Sequence, residues 1–96
     1  MFQIFRKQPA NIDKRTVKEA AETLMSQHGA TTTLEVKNWL RHNNFIAYQW
    51  EVSALMDALA EEEAWAFQWT GKFRVYFIPK PSDIMAALGV PAFSSN

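Results

Sequence analysis

Residues able to do bond-making chemistry are few in this chain of 96 residues. It has no cysteine, which removes disulfides, thiolate nucleophiles and cysteine zinc sites together. The two histidines, His28 and His42, stand alone in sequence, and no His/Asp/Glu set has the spacing of metal ligands. His28 falls at a helix end, where the dipole favours a cation. Ser53, in "VSA", has no base close in sequence and no nucleophile elbow around it. Glu61, Glu62 and Glu63 are adjacent, so on a helix their carboxylates point in different directions, as on a solvated face. With only three glycines there is no phosphate-cradling loop. The expectation is a protein that is not an enzyme, with no catalytic residue, metal, cofactor or small-molecule substrate.

What remains is contact chemistry, and its densest stretch is "AFQWTGKFRVYF", from Ala66 to Phe77. Aromatic side chains alternate there with Lys72 and Arg74 around Gly71. Trp and Tyr are enriched at contact hot spots, and Lys and Arg answer phosphates or carboxylates. The whole chain is 48% hydrophobic and 21% charged, which is ordinary globular usage. Ten acids balance ten bases, so the net charge is zero. That balance weighs against binding driven by phosphate charge, although a local basic patch is compatible with it. No apolar run reaches the roughly 18–20 residues needed to span a bilayer. "MFQIFRKQPA" does not have the order of a secretory signal. A soluble, cytoplasmic protein without a membrane partner is expected.

The elements that must position these residues are legible from periodicity. "DKRTVKEAAETLMSQHG" places Val17, Ala20, Ala21, Leu24 and Met25 on one helical stripe, with Asp13 as cap and Gly29 as stop. "ATTT" is β-branched and short, like a brief strand. "TLEVKNWLRHNN" has the capping-box spacing at Thr32 and Glu35, an apolar face of Val36, Trp39 and Leu40, and Asn43 or Asn44 to end it. "AYQWEVSALMDALAEEEAW" repeats the helical spacing at Val52, Leu55, Met56, Leu59 and Ala60. The period then changes to two on either side of "TG", which marks a hairpin. "SDIMAALG" reads as a short fourth helix. "MFQIF" reads as an edge strand or ordered arm.

This order, helix, short strand, helix, helix, strand, turn, strand, resembles the winged helix-turn-helix superfamily over about Asp13 to Ile78. "VSALMDAL" looks like the body of a recognition helix, and "AFQWTGKFRVYF" looks like the wing. The expected fold is α+β: a three-helix bundle with a C-terminal β-hairpin wing and a short extra C-terminal helix. Residues 1–12 would be an arm or edge strand, 13–88 the winged-helix domain and 89–96 a flexible tail.

The resemblance implies a small DNA-binding, transcription-regulator-like protein whose third helix enters the major groove of duplex DNA. Tyr48, Gln49 and Ser53 would then read bases, and Lys37, Arg41, Lys72 and Arg74 would meet phosphates. His42 is a further contributor to a basic surface. The fold also serves as a protein-docking module, and fold alone does not decide between the two. Ala47 to Glu63 carries five acids and no base, which disfavours a DNA groove. Docking through Trp69, Tyr76 and that acidic helix is the rival expectation. A homodimer through "MFQIF" or "SDIMAALG" is a further one.

Hairpin register decides which aromatics are free. A Thr70–Gly71 two-residue turn would mix Trp65, Phe67 and Trp69 with Lys72, Arg74 and Tyr76 on one face. A three-residue loop, Trp69–Gly71, separates apolar from polar more cleanly and puts Gly71 at a left-handed bulge position. The second register is therefore expected. It buries Trp65, Phe67, Phe73, Val75 and Phe77, and leaves Trp69 at the tip beside Lys72, Arg74 and Tyr76.

Overall fold

The computed structural model describes residues 8–80, and in them the first two helices start and stop at their caps. Helix α1 spans Lys14–His28. The Asp13 carboxylate accepts from the Thr16 amide at 2.8 Å and from the Thr16 hydroxyl at 2.7 Å. The Thr16 amide is the chief reason that this carboxyl is held below its ordinary value. Gly29, at φ 86°, closes the other end, its N–H donating to Met25 O at 2.8 Å.

Helix α2 spans Thr33–His42, with the Thr32 hydroxyl accepting from the Glu35 amide at 3.1 Å. The reciprocal half of the capping box is not made. The Glu35 carboxylate accepts instead from the Thr31 hydroxyl at 3.0 Å. Asn43 caps α2, donating from its amide to Trp39 O at 2.8 Å, and Asn44 takes the left-handed conformation at φ 68°.

Helix α3 spans Gln49–Glu62 and begins at Tyr48 without a side-chain cap. It ends in a left-handed Ala64, φ 57°, followed by a Trp65 N–H that donates back to Ala60 O at 2.9 Å. That is the Schellman arrangement, built here on alanine rather than glycine.

The three helices bury their stripes against one another. Val17, Ala20 and Ala21 of α1, Val36 and Leu40 of α2, and Val52, Met56 and Leu59 of α3 form the centre of the core. Each fully buried Val, Leu or Met side chain among them contributes about 1.5–3 kcal/mol relative to exposure. Trp39 and Leu55 pack on its margin, partly buried. Lys14–Glu62 and Lys18–Glu63 ion pairs tie the start of α1 to the end of α3. Two of the acids that load the third helix are thus already partnered.

Two small sheets complete a small α+β domain. Strands β1 (Ala10–Asn11) and β2 (Phe45–Ile46) pair in parallel, so the segment before α1 is stitched to the α2–α3 connection. Nothing in the sequence pattern announced this ladder. Strands β3 (Ala66–Trp69) and β4 (Arg74–Phe77) form the expected antiparallel hairpin. "ATTT" contributes a single bridge, Thr31 to Tyr76. The expected strand in "MFQIF", the helix in "SDIMAALG" and the tail lie outside the described residues.

The hairpin register corrects both considered pairings. Phe67 faces Tyr76 and Trp69 faces Arg74. Thr70 N–H donates to Phe73 O at 3.0 Å, and Gly71 and Lys72 are the two residues between. Only Gly71 is left-handed there, at φ 99°, which is the sign pattern of a type II′ turn with glycine in its first central position. The Thr70 hydroxyl accepts from the Phe73 amide at 3.3 Å and reinforces the turn. Both considered registers put Gly71 later in the turn, and that error moved the pairing. As a result Tyr76, expected at the surface, is 1% exposed, whereas Phe67 and Phe73, expected in the core, are about half exposed. Trp65 is buried as expected, and Val75 and Phe77 are half-buried.

Candidate functional site

The hairpin leans on α3 through one carboxylate. Asp57 Oδ1 accepts from the Tyr76 hydroxyl at 2.7 Å and pairs with Arg74 Nη1 at 2.5 Å. The Arg74 guanidinium also lies 4.7 Å above the Phe67 ring, within cation–π range. Phe67 in turn tilts against the Tyr76 ring at 6.1 Å. Burial, first, and the bond to Asp57, second, raise the Tyr76 hydroxyl above its ordinary value. Arg74 is therefore engaged by a carboxylate and by a ring at once.

Beside this junction runs an open groove of about 310 Å³ between the first half of α3 and the hairpin. Gln49, Ser53 and Asp57 supply one wall, one helical turn apart, and Trp69, Lys72, Arg74 and the Tyr76 hydroxyl edge supply the other. Its end opens into an adjoining apolar hollow formed by Leu34, Phe73 and the first turn of α2. The hairpin turn places Lys72 and Phe73 there, and the uncapped start of α3 places Gln49.

Six of the nine predicted contact residues thus meet in one place: Gln49, Ser53, Trp69, Lys72, Arg74 and Tyr76. Trp69 is 61% exposed, as expected, although it ends β3 rather than sitting in the loop. Tyr76 contributes only its hydroxyl side, because its ring is core. Lys37, Arg41 and Tyr48 do not line the groove. Lys37 lies half-buried on α2. Arg41 Nε donates to Ala47 O at 3.0 Å and so braces the α2–α3 connection. His42, by its Nδ1, lies 2.9 Å from Asn38 O. The expected cationic surface therefore does not converge. Lys72 is the one groove base without a carboxylate partner among the described residues.

Sequence reasoning missed the apolar half of this surface. Trp50, in the first turn of α3, is 72% exposed, and Phe67, Phe73 and Leu34 are each exposed by half or slightly more. Trp50 was detectable: it stands well off the Val52–Met56–Leu59 stripe on a helical wheel. No group of three His, Asp or Glu side chains able to hold a metal is present among the described residues, and none of their helices is long and apolar enough to cross a membrane. Comparison of the chain with protein-family models, with curated proteins and with solved structures finds no match.

Proposed function

We propose that this chain is a winged-helix interaction module that binds a protein partner in the groove between α3 and the wing. One observation carries the reading. Trp69, Phe73 and Leu34 stand exposed around a groove whose arginine is already neutralised by Asp57, and Trp50 is exposed in the same first turn of α3 that supplies Gln49. Exposed aromatics of this density are the composition of a contact hot spot, and a partner's apolar side chains gain from burying against them. Gln49, Ser53 and Lys72 supply the polar contacts that fix orientation.

Duplex DNA is the second reading, favoured by a different observation. Gln49 and Ser53 lie on the open face of α3 near its start, where a recognition helix meets bases, and Glu62 and Glu63 are occupied by Lys14 and Lys18. Its phosphate contacts are the weak point, since Lys37 and Arg41 lie elsewhere and Arg74 is paired.

The test is selection of peptides from a random display library on the immobilised chain, with duplex titration at low salt alongside. The expected result is peptides rich in bulky apolar residues, with affinity lowered tenfold or more by Leu34→Ala or Phe73→Ala, about the effect of losing one hot-spot side chain. Salt-sensitive duplex binding that Lys72→Ala weakens, with no peptide recovered, would replace the docking reading by the DNA reading.

A further inference from the structure

Among the described residues, one edge of the hairpin is unpaired. Tyr76 exchanges both backbone hydrogen bonds with Thr31, at 2.9 and 2.8 Å, so β4 lies between Thr31 and β3. Phe67 faces Tyr76, so the Phe67 N–H and C=O must point the other way, outward from the sheet. Trp69, two residues on, points the same way. Neither backbone has a hydrogen-bond partner among the described residues. Natural edge strands are usually blocked by a charge, a proline or a bulge. "AFQW" has none of these, and its outward-pointing residues carry aromatic rings that are more than half exposed.

We infer that this edge pairs with the same edge of a second copy of the chain, giving a two-fold symmetric dimer with a continuous sheet. The strand is self-complementary about Gln68. Antiparallel pairing centred there sets Phe67 opposite Trp69 of the second copy, and Trp69 opposite its Phe67. Both are positions whose N–H and C=O point outward, so each pair exchanges two backbone hydrogen bonds. The aromatic rings meet across the strands on one face. The two Gln68 side chains meet on the other, where their amides can bond to each other.

Charge favours the same register. Carried past the strand ends, it brings the Glu61–Glu63 end of each copy to the Lys72 turn of the other. Glu61 and Lys72 have no ion pair within one chain among the described residues. The second copy offers each of them an opposite charge, twice by symmetry. Edge and groove share the Trp69 and Lys72 side chains, and the inference does not rest on what the groove binds.

Sedimentation equilibrium and hydrogen exchange on the full chain alone test it. The expected mass rises with concentration from 11.0 kDa toward twice that value. Dimer formation slows exchange of the Phe67 and Trp69 amides. Phe67→Glu keeps a partner for Arg74 but puts a charge into both aromatic pairs, and weakens the dimer by about tenfold. Glu61→Lys, on the exposed helix face, weakens it in the same direction without touching the strand. A matched melting temperature shows that each variant is folded. Should Phe67→Glu fail to fold, Glu61→Lys and the exchange rates still decide. A chain that stays monomeric up to about millimolar concentration, the weakest association that such an experiment reads, overturns the inference. So does a dimer in which the Phe67 and Trp69 amides exchange as fast as in the monomer.

Discussion

Asp57 Oδ1 receives two donors of different kinds, a half-exposed guanidinium and a phenol whose ring is core. The first is worth little at a solvent-exposed site. The second matters more, because the Tyr76 hydroxyl has been withdrawn from most water and needs an acceptor. Tyr76→Phe should cost about 0.5–1.5 kcal/mol in urea denaturation at neutral pH. The same hydroxyl gives a pH signature. The folded state holds its proton to higher pH than the unfolded state, whose value is near the ordinary 10.0. Stability from this group is therefore complete below that pH and is lost as pH rises through the raised folded value. Melting temperatures taken on the alkaline side should fall less steeply in Tyr76→Phe than in the native sequence. Equal slopes would mean that the hydroxyl is not held by the fold.

At the scale of elements, the ends of helices decide more than their middles. Gly29 and Asn44 take left-handed geometry with residues suited to it, whereas Ala64 takes it with a Cβ that disfavours it. Ala64→Gly should stabilise the chain by up to about 1 kcal/mol, read as a higher urea midpoint at unchanged slope. A loss of stability instead would show that the Ala64 methyl group is packed, not merely tolerated. The stripes of all three helices and the N-caps of the first two were legible because each rests on a local rule: Asp13 to Thr16, Thr32 to Glu35, Val17 to Met25. The hairpin was legible as a hairpin and not in its pairing. Its register turns on whether Gly71 is the first or a later residue of the turn, and side-chain alternation around it fits more than one answer. The groove was legible in part for the same reason. Gln49 and Ser53 follow from the helix, but Phe67, Phe73 and Tyr76 exchange places with the register. Trp50 is marked in the sequence only by its position off the apolar stripe of α3, since a single aromatic on a polar helix face forms no pattern. The β1–β2 ladder has two residues on each strand and no pattern long enough to signal it.

At the scale of the molecule, a core this small has no redundancy. Val36, Leu40, Val52 and Met56 are fully enclosed and shared among the three helices. Leu40→Ala should cost about 2–5 kcal/mol, a large share of the roughly 5–15 kcal/mol available to a domain of ordinary stability. Far-UV dichroism and tryptophan fluorescence should lose their signals at one shared, lowered denaturant midpoint. Separate midpoints would mean that the hairpin and the helices are independent units, contrary to the placement of Tyr76 and Trp65 in one cluster with Leu40.

The parallel ladder between Ala10–Asn11 and Phe45–Ile46 also sets how force would travel. A pull on residues ahead of α1 is resisted first by these few backbone bonds, loaded along the strands. The load passes to Asn44, Phe45 and Ile46, and so to the connection that delivers Gln49 to the groove. Anything tethered ahead of Ala10 therefore has a mechanical line to the start of α3 that does not run through the helical core.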